Sequence, residues 1–309
     1  MSEQSGLSRR SLLAGSLAAP ALAQPKGPLV DTHIHLFADD QRRFPYHPNA
    51  TYRPPAAPLD PYKAFVRESG IAHTVIVHPE PYQDDHRYLE YCFANEPSKL
   101  FFKGTCLFDP IDPASRDRME ALVRKNAGRI VALRIHVNRE RGAAPATGGP
   151  IRDRDLKHPQ MKATWRRVHQ LGLAIQMHII PVHAPEVHAL AAEFGGVKVI
   201  IDHLARSGFG TPAEYAQVLE MGRLPNVIMK YSAVRYSSRE EYPYRDVRAL
   251  VRQTYDAFGP DRMIWGGLGK SMEEFRQQAA LFEEMFAFAS EADKAKIRGG
   301  NAMRLFWSV

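Results

Sequence analysis

From residue 29 onward, short β-branched runs, many of them nearly continuously apolar, alternate with longer stretches of helical period. The runs fall at residues 29–33, 73–78, 101–107, 130–136, 173–178, 197–203, 227–232 and 262–266. Apolar runs of this length, without polar alternation, fit strands buried on both faces, as in a parallel sheet. Helical stretches lie between them at 84–96, 113–126, 159–170, 185–194 and 245–258, and several open with Pro or Asp, which suit a first turn. Two more are predicted at 272–290 and 291–307. Eight strand–helix units predict a single-domain (β/α)8 TIM barrel. A doubly wound open sheet is the alternative, but no GxGxxG follows the first run to support a dinucleotide site.

Two connections break the rhythm. Residues 36–59 are rich in proline and aromatics (Phe37, Phe44, Tyr46, Tyr52), and residues 138–157 are rich in Gly, Pro and Arg. Both follow strands on the side where barrel sites form, and long loops of this kind tend to be lids or binding segments.

The N-terminus reads as an address rather than as part of the barrel. Paired Arg9 and Arg10 precede an apolar run over 12–23 that closes on Ala21-Leu22-Ala23, a small-residue cleavage pattern. The run is too short to anchor in a bilayer. The pattern resembles a twin-arginine signal over residues 1–23, which predicts a periplasmic mature protein without membrane attachment.

Composition adds little to the fold but narrows the partners. The chain of 309 residues carries 41 Lys and Arg against 34 Asp and Glu, a formal charge of +7. The basic residues are interspersed with acids and form no run interleaved with aromatics, which argues against nucleic acid and for a bias toward small anionic substrates. Cys92 and Cys106 have no metal-type spacing and read as buried thiols.

The chemistry gathers at strand ends. In Asp31-Thr32-His33-Ile34-His35, residues two apart on a strand face the same way, so His33 and His35 offer two imidazoles to one point. His178 closes the fifth run and His203 the sixth. Three imidazoles from His33, His35 and His178 can hold a divalent metal, zinc by preference, with an open water position, and His203 can take the water's proton. Arg134 lies near the end of the fourth strand and Arg235 follows the seventh, and a guanidinium pairs bidentately with a carboxylate. Glu80 and Tyr82, just past the second strand, offer an acid and a hydrogen-bonding ring.

These residues carry a family resemblance. The HxH motif, the two later histidines and the closing Gly300-Asn301-Ala302-Met303-Arg304-Leu305-Phe306 resemble the amidohydrolase-2 family across nearly the whole mature chain. That family includes lactonases and non-oxidative decarboxylases. Phe44-Pro45, Ile201-Asp202-His203 and Ile264-Trp265-Gly266 are similar to its dicarboxylate lactonase group. The resemblance implies metal ligation by His33, His35 and His178 in the decarboxylase branch, assistance to the water by His203, and carboxylate binding by Arg134 and Arg235. In the lactonase branch it also admits a metal-free route.

One position departs from the pattern. Where the family's eighth strand reads W-G-S/T-D, this chain reads Trp265-Gly266-Gly267-Leu268, and leucine neither ligates metal nor carries a proton. The sequence therefore predicts an apolar Leu268 side chain beside the histidines. It leaves three functions open: a hydrolase opening a lactone or cyclic ester of a small carboxylic acid, a decarboxylase of an aromatic or muconate-type acid, and a degenerate periplasmic binder. Self-association into a homo-oligomer stays open as well.

Overall fold

A computed structural model describes residues 27–308; the signal-like segment 1–23 lies outside them. Eight strands run in sequential order, each parallel to the next: β1 Val30–Ile34, β2 His73–Val77, β3 Phe102–Cys106, β4 Ile130–Val137, β5 Ala174–Ile179, β6 Val199–Ile201, β7 Val227–Tyr231 and β8 Met263–Trp265. Every predicted strand is present. The helices are α1 Leu59–Ser69, α2 Arg87–Ala94, α3 Pro113–Lys125, α4 Pro159–Gln170, α5 Ala184–Glu193, α6 Pro212–Glu220, α7 Arg248–Phe258, α8 Met272–Met285 and α9 Glu291–Ala295. This is the (β/α)8 barrel that the alternation predicts.

Side chains close the seam between β1 and β8. Thr32 Oγ1 donates to Trp265 O at 2.6 Å, and the Asp31 carboxylate accepts from the amides of Gly267 (2.8 Å) and Leu268 (3.2 Å). A Cβ on Gly266 would stand 2.7–2.8 Å from His33 N, His33 Cβ and Thr32 Oγ1. Only glycine permits that approach.

The barrel interior is layered, because side chains two apart on a strand share a face. Val30, Val75, Ala132, Ala174, Ile200, Ile228 and Ile264 form one apolar cluster, with Ala302 and Phe306 from the C-terminal segment packed against it. Two residues further along the later strands come Arg134, Gln176, Asp202 and Lys230, all buried. Two further again come His136 and His178, paired in register. An apolar floor, a charged layer and an imidazole layer thus follow from strand period alone.

Two predicted helices are shorter than their apolar pattern. The stretch predicted over 272–290 ends at Met285. The one predicted over 291–307 is helical only to Ala295, followed by wide π-type turns at Lys296–Gly300 and Met303–Trp307. Asn301 explains the break: its side-chain amide donates to Pro260 O (2.6 Å) and Met263 O (2.7 Å), tying this segment to β8.

Candidate active site

His33 lies near the end of β1 and His35 just past it, where the register of β1 against β2 slips between Asp31 and Ile34. Their Nε2 atoms are 3.3 Å apart. His35 Nδ1 lies 2.7 Å from the Val77 carbonyl, which only accepts, so the His35 proton sits on Nδ1 and its Nε2 carries a lone pair. His203 stacks obliquely on His33, ring centres 4.4 Å apart, and His178 lies 5.4 Å from His203. The four histidines expected from the sequence therefore share one cluster.

A fifth joins them. His136, at the end of β4, places Nδ1 3.1 Å from His178 Nδ1. Among the described residues the Nε2 atoms of both rings are buried without a hydrogen-bond partner. The sequence signal for His136 is the same as for His178, a histidine closing an apolar run.

Burial holds the cluster neutral. It pulls His35 and His203 down to about 3, and it drives His33, His136 and His178 well below the ordinary imidazole value. For His35 the nearby Arg134 charge adds to this. Ser232 Oγ fixes His203 through Nδ1 at 2.8 Å. His203 opens a run of four left-handed residues, His203 to Arg206, with φ of 51–57°. For L-residues each such step costs about 1–2 kcal/mol. Strain of this kind collects at functional sites.

The charged layer lies against the histidines. Asp202 is wholly buried, and its Oδ2 accepts from Arg134 Nη2 (3.0 Å), Arg134 Nε (3.2 Å) and Gln176 Nε2 (2.9 Å). Its Oδ1 lies 3.1 Å from Lys230 Nζ and 3.5 Å from His33 Nδ1. Burial pushes its carboxyl up, but Lys230, His33 and Arg134 outweigh that and hold it well below the usual range. Neither Asp202 nor Lys230 was expected as a site residue, although a lysine within Val227-Ile228-Met229-Lys230-Tyr231 is conspicuous.

Several expected side chains are committed elsewhere. Arg134 spends its guanidinium on Asp202. Glu80 is buried, not solvated: it accepts from Thr51 Oγ1 (2.7 Å) and Gln83 Nε2 (2.9 Å), while Gln83 Oε1 accepts from Ile151 N (2.6 Å). Glu80 and Gln83 thus link the two long loops. Tyr82 is buried among Phe37, Tyr46 and Tyr88, and its hydroxyl accepts from Ala38 N at 2.8 Å. Both residues brace the long loops.

Leu268 also differs from expectation. Its side chain is wholly buried in the main apolar core, and it serves the site through its amide to Asp31.

Arg235 is exposed at the rim and stacks on Tyr236, 4.6 Å from the ring centre. Arg206 stacks on the same ring at 4.7 Å and donates to Asn138 Oδ1 at 3.3 Å. Tyr236 in turn faces His203, ring centres 5.9 Å apart. Among the described residues neither guanidinium has a carboxylate within ion-pair distance.

Two groups of atoms could hold a divalent cation. His33, Asp202 and His203 offer ligand atoms within 4.8 Å of one another; Arg134 takes Asp202 Oδ2, while Oδ1 lies 3.1 Å from Lys230 Nζ and accepts no hydrogen bond among the described residues. The Nε2 atoms of His33 and His35, 3.3 Å apart, match the edge of a tetrahedron with metal–nitrogen bonds of about 2.0–2.1 Å.

The amidohydrolase family model matches residues 30–307. A 4-sulfomuconolactone hydrolase from Hydrogenophaga intermedia is 26% identical over 291 residues, covering 90% of this chain and 88% of the relative. Among solved structures, a probable 2-pyrone-4,6-dicarboxylic acid hydrolase from Acinetobacter baumannii superposes with a TM-score of 0.71 at 19% identity, covering 91% and 99% of the two chains. An amidohydrolase from Burkholderia multivorans, solved with bound zinc, gives 0.67 at 17% identity over 92% and 100%. With the family model spanning the whole barrel and the histidines set at its mouth, the chain belongs to the amidohydrolase family and is a hydrolase by kinship.

Proposed function

We propose that this protein opens the lactone of a small anionic acid. The observation that carries the reading is a cluster of neutral imidazoles beneath two uncompensated guanidiniums, Arg206 and Arg235. Neutral bases serve hydrolysis, and unpaired arginines serve an anionic substrate. The named activity of the 4-sulfomuconolactone hydrolase, a lactone-opening enzyme, agrees with it.

In this reading Arg235 and Arg206 hold the substrate's anionic group over Tyr236. His203, oriented by Ser232, accepts the proton of the attacking water. The water oxygen bonds to the carbonyl carbon, the acyl C–O bond breaks, and the proton passes to the leaving alkoxide, giving a hydroxy acid. Arg134 orients Asp202 and does not contact substrate. Glu80 and Tyr82 hold the long loops.

His33 and His35 would hold a divalent cation, with zinc supported by the Burkholderia multivorans relative; among the described residues the expected third ligand His178 is not grouped with them, and His203 and Asp202 lie nearer. Such a cation supplies Lewis-acid polarisation and acidified water when bound. The paired arginines before an Ala-Leu-Ala site support export to the periplasm; N-terminal sequencing of secreted protein should then begin at Gln24.

The test is a panel of anionic lactones and aromatic acids, assayed with product identification on protein of known metal content. Hydroxy-acid product that disappears in His203→Ala supports the reading. Carbon dioxide release, or binding without turnover, overturns it.

A further inference from the structure

Lys230 is a wholly buried lysine that the proposed reaction does not use. Its ammonium has two hydrogen-bond partners, Thr32 O at 3.0 Å and His33 Nδ1 at 3.5 Å, and stands 3.1 Å from Asp202 Oδ1 as an ion pair. An ammonium only donates. The bond to His33 therefore requires a bare Nδ1, and the single proton of the neutral ring then sits on Nε2. The nearest acceptor for that proton is His35 Nε2 at 3.3 Å, bare because His35 Nδ1 donates to Val77. The bonds form one consistent chain from Lys230 through His33 and His35 to Val77.

The competing arrangement is also visible. Asp202 Oδ1, 3.5 Å from His33 Nδ1, could accept a proton there. Both Nε2 lone pairs would then face each other at 3.3 Å, a repulsive contact unless a cation lies between them. Lys230 and Asp202 thus pull the His33 tautomer in opposite directions.

We propose that Lys230 is a positioning residue that keeps His33 as the Nε2–H tautomer in the metal-free protein, so that the HxH pair hydrogen-bonds to itself and resists cation capture. Taking up a cation then requires moving the His33 proton to Nδ1, where Asp202 receives it. This rests on the reading of His33 and His35 as the cation-holding pair, but not on any substrate.

The experiment is long-range 1H–15N correlation of the histidine rings in metal-free full-length protein, with zinc titration by calorimetry. Wild type should show His33 protonated at Nε2 and bare at Nδ1. Lys230→Met should move the proton to Nδ1 and tighten zinc binding about tenfold, the low end of what outer partners of metal ligands control. Lys230→Gln, which keeps a donor but loses the charge, serves if the methionine variant does not fold. A wild-type His33 protonated at Nδ1 overturns the proposal, as does a tautomer or zinc affinity unmoved by the folded variant. Because no substrate is present, a failed lactone assay leaves this result readable.

Discussion

Arg134 and Asp202 form a wholly buried ion pair, Nη2 to Oδ2 3.0 Å, between β4 and the end of β6. It holds the carboxylate that faces His33, so its role is to support the histidines. Breaking a buried pair by removing one partner costs about 3–5 kcal/mol, because the other charge is left uncompensated. Arg134→Met should lose stability of that order in urea unfolding, with kcat falling more than KM rises. A selective rise in KM at unchanged stability would instead make Arg134 a substrate contact.

His203→Ala should lower kcat by roughly 10²–10⁴-fold, the range for a general base, with zinc content unchanged. Metal analysis alongside steady-state kinetics checks both halves. Zinc loss as complete as in His33→Ala would move His203 into the ligand set.

Stability should fall steeply with acid. His35 and His203 have folded values of about 3 against an ordinary 6.5 because burial disfavours their charged form. Between those values the unfolded chain binds more protons, so stability is complete above about pH 6.5 and declines toward pH 3. Each histidine contributes about 1.4 kcal/mol per pH unit in that window. Asp202, held low by Lys230, His33 and Arg134, acts in the same direction below its ordinary value of 3.8. Urea midpoints from pH 8 to pH 4 measure the slope, and a flat profile would show that these rings are not buried neutral.

Leu268→Asp should not restore a ligand. It replaces a buried leucine of the main core with an acid next to Asp31, whose carboxyl is already raised by burial. A loss of about 2–5 kcal/mol is expected, as for other buried leucine truncations or unpaired polar burials. A stable variant with improved zinc binding would return strand eight to the metal site.

The barrel was legible because many of its strands are nearly continuous apolar runs alternating with helical stretches, and the histidines because they stand at strand ends. Strand period also carried more than was read from it. Stepping two residues on from Ala132, Ile200 and Ile228 gives Arg134, Asp202 and Lys230, and stepping from Arg134 gives His136. What periodicity could not give is pairing. That Arg134 turns to Asp202, and that Glu80 and Tyr82 serve the long loops, depends on contacts between elements far apart in sequence. The end of α8 and the π-type turns after α9 were hidden for a similar reason, since Asn301 sets that path through bonds to Pro260 and Met263.

The most direct measurement is kcat/KM for a matched pair of lactones, one bearing an anionic group and one neutral, with wild type and with Arg235→Met. Wild type should open both and favour the anionic lactone, and the variant should lose most of that preference while still opening the neutral one. Failure of wild type to open either lactone, or a preference that survives the loss of Arg235, would contradict the account.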